Sequence, residues 1–170
     1  GKSAVRYLVK EQLDGLNYDM AAIEEMKAKI LQPLAQYADN QDKSTQADVN
    51  PNYILPKMFM MRMQKLMDEY AGGVTAQFTT SKPNLERALE LLALLREDSD
   101  KLGASNLHEL MRCWENVHRS YQAESHVRAM LFREETRWPG YYFRSDTPKM
   151  DNETWTVFVN GSLDPSSGEW

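Results

Sequence analysis

Ser105–Asp146, SNLHELMRCWENVHRSYQAESHVRAMLFREETRWPGYYFRSD, decides the fold. Its first thirty residues place Leu107, Leu110, Met111, Trp114, Val117, Tyr121, Val127, Met130 and Leu131 mostly three or four apart. That spacing predicts one apolar stripe on a long α-helix. Ser105 is the expected N-cap, since its hydroxyl can accept from an orphaned backbone N–H. Pro139 and Gly140 predict a helix stop near Thr136, because proline cannot continue a helix and glycine permits the turn.

The remaining segments read as partners for this helix. Val5, Leu8 and Val9 have helical spacing, with Asp14-Gly15 as the stop. Asp19 is placed to cap a second helix, which carries Ile23, Met26, Ile30, Leu31, Leu34 and Tyr37 on one face, with Pro33 expected to kink or divide it. Residues 39–50 are polar and aperiodic, a solvated loop. Pro56 opens a methionine-rich helix that Gly72-Gly73 ends. Five of the ten methionines fall between Met58 and Met67, where core packing is the expected role. Residues 74–80 read as a connector. Ser81 is the expected cap of a helix with Leu85, Ala88, Leu89, Leu92 and Leu95 on one face, and Gly103 ends that unit. Beyond Pro148, the alternation Trp155, Val157, Val159 predicts a short strand-like run. The architecture expected is therefore all-α: an antiparallel helical bundle over 1–137, then an aromatic and arginine-rich turn and extended tail over 138–170.

Composition narrows the function. At 170 residues the chain is long enough for one ordinary domain. Net charge is −5 and no basic run reaches four residues, which argues against nucleic acid and acidic membranes as partners. No apolar run is long enough to span a bilayer. The single cysteine, Cys113, suits a reducing compartment and a packed thiol. Glu115 and His118 match half of a carboxylate metal site without its second half, and His108, His118 and His126 form no i, i+4 pair, so no metal site is expected. Glycine-rich phosphate loops and nucleophile elbows are absent, so no catalytic or cofactor-binding residue is assigned. The chain runs straight from Gly1 into a helical pattern, as a piece of a longer protein would. What composition does flag is a cluster of rings, guanidinium groups and carboxylates beyond the long helix. Arg137, Trp138, Tyr141, Tyr142, Arg144 and Asp146 are the docking candidates, since arginine and aromatic residues favour buried interfaces.

The same cluster carries a resemblance. Ala123-Glu124, Ala129, Arg133 and Glu135-Thr136-Arg137 resemble the A-E…A…R-x-E-S-R signature on a late helix of the succinate dehydrogenase and fumarate reductase flavoproteins. Arg144, Asp146, Asp151 and Trp155 match later positions of that pattern. Its Gly-Ala-His is replaced here by Trp138-Pro139-Gly140-Tyr141-Tyr142, two residues longer, which resembles the dissimilatory adenylylsulfate reductase alpha-subunit family. Segments 62–74, 107–112, 158–160 and 168–170 are similar to that family too. The resemblance implies the C-terminal helical domain of a cytoplasmic FAD enzyme reducing adenylylsulfate to sulfite and AMP. It also implies, as partners, preceding FAD-binding and capping domains and an iron–sulfur beta subunit. The flavin and substrate residues would lie upstream, and this stretch alone would be structural, without cofactor and inactive. The alternatives are a self-standing helical interaction module and a piece of a fumarate or succinate flavoprotein.

Overall fold

A computed structural model describes residues 2–11, 19–44, 49–138 and 140–170, the side chains of Leu8 and Glu11 excepted. The expected stops at Asp14-Gly15 and Pro139 lie outside the described residues. The chain divides into two units, Gly1–Gln32 and Pro33–Trp170.

The first unit holds α1 (Lys2–Glu11), which exposes every residue described on it, and the part of α2 (Met20–Asn40) up to Gln32. Helix α2 opens as expected on Asp19, whose carboxylate accepts from the N–H groups of Ala21 and Ala22 at 3.0 and 3.1 Å. Pro33 lies inside α2 and does not divide it.

The second unit is built on three helices: α3 (Pro56–Tyr70), α4 (Lys82–Glu97) and α5 (Leu107–Phe132). Pro56 holds the first turn of α3, and Leu55 before it is extended, as a residue preceding proline must be. Two glycines end α3 for different reasons. Gly72 turns left-handed at φ +81°, while Gly73 lies so close to Asp68 that a Cβ would come within 2.5 Å of its Cα. The core joins Phe59, Met63 and Leu66 of α3 to Leu85, Ala88, Leu92 and Leu95 of α4, and to Leu110, Cys113, Val127 and Met130 of α5. Leu102 and Ala104 close it from the α4–α5 link. The domain is all-α with a short tail. Only Met63 of the five clustered methionines is buried, and Met58 and Met61 stay exposed.

The structure corrects four local expectations. Asn106, not Ser105, caps α5: its side chain accepts from Glu109 N–H at 3.1 Å, while the Glu109 carboxylate reaches back to Ser105 N–H at 2.8 Å, a capping box displaced by one residue. The buried line of α5 is Leu110, Cys113, Asn116, Ser120, Glu124, Val127 and Met130, whereas Leu107, Met111 and Tyr121 face out. Polar residues take core positions because each finds a partner; Asn116 Nδ2 donates to Pro56 O at 2.7 Å. Helix α5 stops at Phe132, not near Thr136. The 155–159 run is no strand: Asp151 caps the short α6 (Asn152–Trp155) by accepting from Glu153 and Thr154 N–H, and irregular backbone follows without a ladder partner. The only strands among the described residues are β1 (Thr79–Thr80), inside the expected connector, and β2 (Phe143–Arg144), paired in parallel with Thr79 opposite Phe143.

Candidate functional site

The docking candidates sit on a knot of ion pairs that begins where α5 ends. Arg133 leaves helical geometry (φ −83°, ψ 98°), and a tight turn in which Glu135 N–H donates to Arg133 O at 3.0 Å follows, with Glu135 buried. The Glu135 carboxylate is fully buried and accepts from four donors: Arg133 Nε at 2.7 Å, Arg137 Nε at 2.6 Å, Arg137 Nη2 at 2.9 Å and Asp151 N–H at 3.0 Å. Burial alone would raise its pKa. The forked Arg137 contact, the Asp151 N–H and Arg133 together outweigh burial and hold it below the usual carboxylate range. Those arginines also bind the tail. Arg133 donates to the carbonyls of Trp155 and Val157 and lies over the Trp155 ring, which packs edge-on against Phe132. Arg137 donates to Asn152 Oδ1 at 3.1 Å and Asp151 O at 3.2 Å.

A second pair bridges two helix ends. Arg144 is fully buried, and its guanidinium forks onto Asp146 at 2.9 and 2.6 Å. Its Nη1 donates to Met130 O at 2.6 Å, satisfying a carbonyl that the last turn of α5 leaves open. Asp146 in turn accepts from Lys82 N–H at 3.1 Å, at the first turn of α4. Ser81 stands at the N-cap position there without a side-chain bond, so the carboxylate of Asp146 does the work expected of its hydroxyl. A cation thus closes one helix C-terminus and its own counter-ion closes another helix N-terminus, each on the side the helix dipole favours. The Arg144 contact holds the Asp146 carboxyl down at about 2. Thr136 completes the knot: its hydroxyl donates to Thr147 O at 2.9 Å and accepts from Arg144 N–H at 2.9 Å.

Of the six candidates, Arg137, Arg144 and Asp146 face this knot. Tyr142 is half-buried against the core, which pushes its phenol up. Trp138 is 67% exposed and Tyr141 83%. They flank a turn in which the N–H groups of Tyr141 and Tyr142 reach Trp138 O at 3.0 Å, with Gly140 between them at φ +94°. Glu135, Arg133 and Thr136 were not among the candidates; their signal was their place within the arginine-rich cluster.

Elsewhere, Glu124 is buried between Arg96 and Arg128, and its pKa is lowered: burial pushes it up, and the two guanidinium groups overcome that. Burial and nearby Glu109 push the Cys113 thiol up to about 12, so it is a packed, unreactive group. Glu115 pairs with Arg119 rather than with a metal partner. Among the described residues, no three His, Cys, Asp or Glu side chains converge as metal ligands would. A groove of about 600 Å³ runs between the end of α5 and the tail, lined by Ser125, Arg128, Phe132, Val159 and Trp170. It is largely apolar and holds no nucleophile–base pair.

No family model matches the sequence. The alpha subunit of adenylylsulfate reductase from Megalodesulfovibrio gigas is 42% identical over 99% of this chain, which spans 26% of that relative. In the adenylylsulfate reductase structure from the hyperthermophilic Archaeoglobus fulgidus, the matched polypeptide is 52% identical with a TM-score of 0.78, over 91% of this chain and 24% of that one. The Mycobacterium smegmatis Sdh1 complex shares the fold at 21% identity and a TM-score of 0.56, over 85% of this chain and 22% of that one. The chain spans about a quarter of the length of each of them, and it is a homologue of the C-terminal part of the adenylylsulfate reductase alpha subunits.

Proposed function

We propose that this chain serves an adenylylsulfate reductase alpha subunit as its C-terminal buttress and docking element, with residues 1–137 as the bundle and 138–170 as the contact-bearing turn and tail. The intact subunit, in this reading, is a cytoplasmic FAD enzyme that reduces adenylylsulfate to sulfite and AMP with electrons from an iron–sulfur beta subunit. The observation that carries it is identity of 42% maintained across 99% of the chain. No described helix is long and apolar enough to cross a membrane.

Four of the described helix starts offer FAD no cradle. A dinucleotide diphosphate needs converging backbone N–H groups at a glycine-rich turn or an open helix start. Here the starts of α2, α4, α5 and α6 are filled by Asp19, Asp146, Asn106 and Asp151, three of them carboxylates that repel phosphate. Anionic adenylylsulfate would need uncommitted cations gathered in a pocket, and the clustered arginines Arg96, Arg128, Arg133, Arg137 and Arg144 all face carboxylates. We therefore assign flavin binding and chemistry to polypeptide outside this chain, and to this stretch no turnover of its own.

The test is the mass and colour of the native polypeptide that carries the Arg137-Trp138-Pro139-Gly140 peptide. A flavin-bearing polypeptide several times larger than 19.7 kDa is expected. A colourless one of this size would leave a self-standing helical module instead.

A further inference from the structure

Only two of the docking candidates are built to touch something else. Arg137, Arg144 and Asp146 spend their polar atoms inside the knot, and Tyr142 leans on the core. They form a pedestal whose two ends, Glu135–Arg137 and Arg144–Asp146, clamp the turn between them. Large side chains left in water on so constrained a turn mark a contact surface. Resting on the reading above, we propose that Trp138 and Tyr141 plug an uncharged, largely apolar pocket in the preceding part of the same alpha-subunit polypeptide.

Two observations choose this occupant. The first is charge. The guanidinium groups of the knot are all paired with carboxylates, so the turn offers no free arginine cation to an acidic surface, whether nucleic acid, anionic lipid or acidic protein. Its recognition must come from ring area, with the indole N–H and the phenol each finding one polar partner at the pocket rim. The second is size. Two such rings bury about 150–250 Å² each, so together they fall short of the roughly 800 Å² per partner that holds separate proteins together. A contact that small suffices when a covalent connection keeps both sides at high effective concentration. Because this chain is 26% of its M. gigas relative, most of such a polypeptide lies elsewhere and is available to supply the pocket.

Hydroxyl-radical footprinting of the intact alpha subunit, alone and with its beta subunit, tests this. Trp138 and Tyr141 are expected to lose their reactivity, relative to the unfolded subunit, in the alpha subunit alone. Protection should persist in about 1 M salt, where screening acts within about 3 Å. Rings that react freely in the alpha subunit and are protected only by the beta subunit would overturn the choice of occupant. Rings reactive in both, or protection lost in salt, would overturn the plug. The double variant Trp138→Ala/Tyr141→Ala is expected to split the thermal transition of the intact subunit in two, and an unchanged single transition would count against it. Failure of the broader reading looks different: the native polypeptide would then be no larger than this chain, whatever the rings do.

Discussion

The leucine face of α4 and the centre of the knot beyond α5, Glu135 and Arg144, are both buried from water, yet they cohere by opposite means. Leu85, Ala88, Leu92 and Leu95 are buried through non-directional contact, where neighbouring apolar groups can substitute for one another. Glu135 and Arg144 are buried only because specific donors and acceptors meet them: four donors on one carboxylate, a forked carboxylate and a helix carbonyl on the guanidinium. The apolar face supplies bulk stability, while the knot fixes where one turn points. Tolerance should differ accordingly, since an apolar contact is lost in proportion to volume and a buried charge is stranded all at once.

The largest effect should come from the apolar side. Phe59→Ala, at a completely buried position, is expected to cost about 4 kcal/mol in urea unfolding. Asp146→Ala should follow at about 3 kcal/mol, because it strands the buried Arg144 and uncaps α4. Replacing Arg144 and Asp146 together with Met and Leu should cost less than Asp146→Ala alone. If the double change costs the sum of the singles, the two regions do not differ in the way described. Acid sharpens the contrast further. The folded Asp146 carboxyl, at about 2, lies below its unfolded value, so its contribution is present above about pH 4 and lost as pH falls towards 2. Glu135 and Glu124 shift the same way. Stability measured down that range should fall steeply in the wild-type protein and less steeply in the Arg144/Asp146 double variant, whereas Phe59→Ala should keep the wild-type slope. The smallest effect is expected from Lys27→Ala, whose pair with Glu24 is exposed on both sides: at most about 0.5 kcal/mol.

The two regions also differed in how far they could be read from sequence. The stripe of α4 was legible residue by residue, because burial there follows helical period alone. On α5 the same rule was right at Leu110, Val127 and Met130 but also selected Leu107, Met111 and Tyr121, which face out, and missed Asn116, Ser120 and Glu124, which are buried. Polar side chains enter a core when a partner waits for them, distant for Asn116 (Pro56 O) and Glu124 (Arg96) and local for Ser120 (Val117 O), and periodicity carries no record of partners. The candidate site was legible as a cluster, not as an arrangement. Composition named Arg137, Trp138 and Arg144 together, but which faced inward depended on Glu135 and on the backbone leaving the helix at Arg133. The resemblance to flavoproteins lay on these same residues, because a motif keeps the pairing that composition discards. The strand expected at 155–159 failed for a related reason: alternation makes a strand possible, and only a ladder partner makes one.

The bond from Lys82 N–H to Asp146 spans 64 residues of chain. Its consequence is one of timing. Closing a loop of that length costs about 4 kcal/mol of chain entropy before the contact returns anything. The first turn of α4 therefore cannot gain its cap until α5 has docked and the chain has doubled back past it. During refolding, the C-terminal turns of α4 should gain protection before its start, and Asp146 should carry a φ-value near zero. A helix whose sequence reads as the most self-sufficient in the chain is thus the one whose opening turn is finished last.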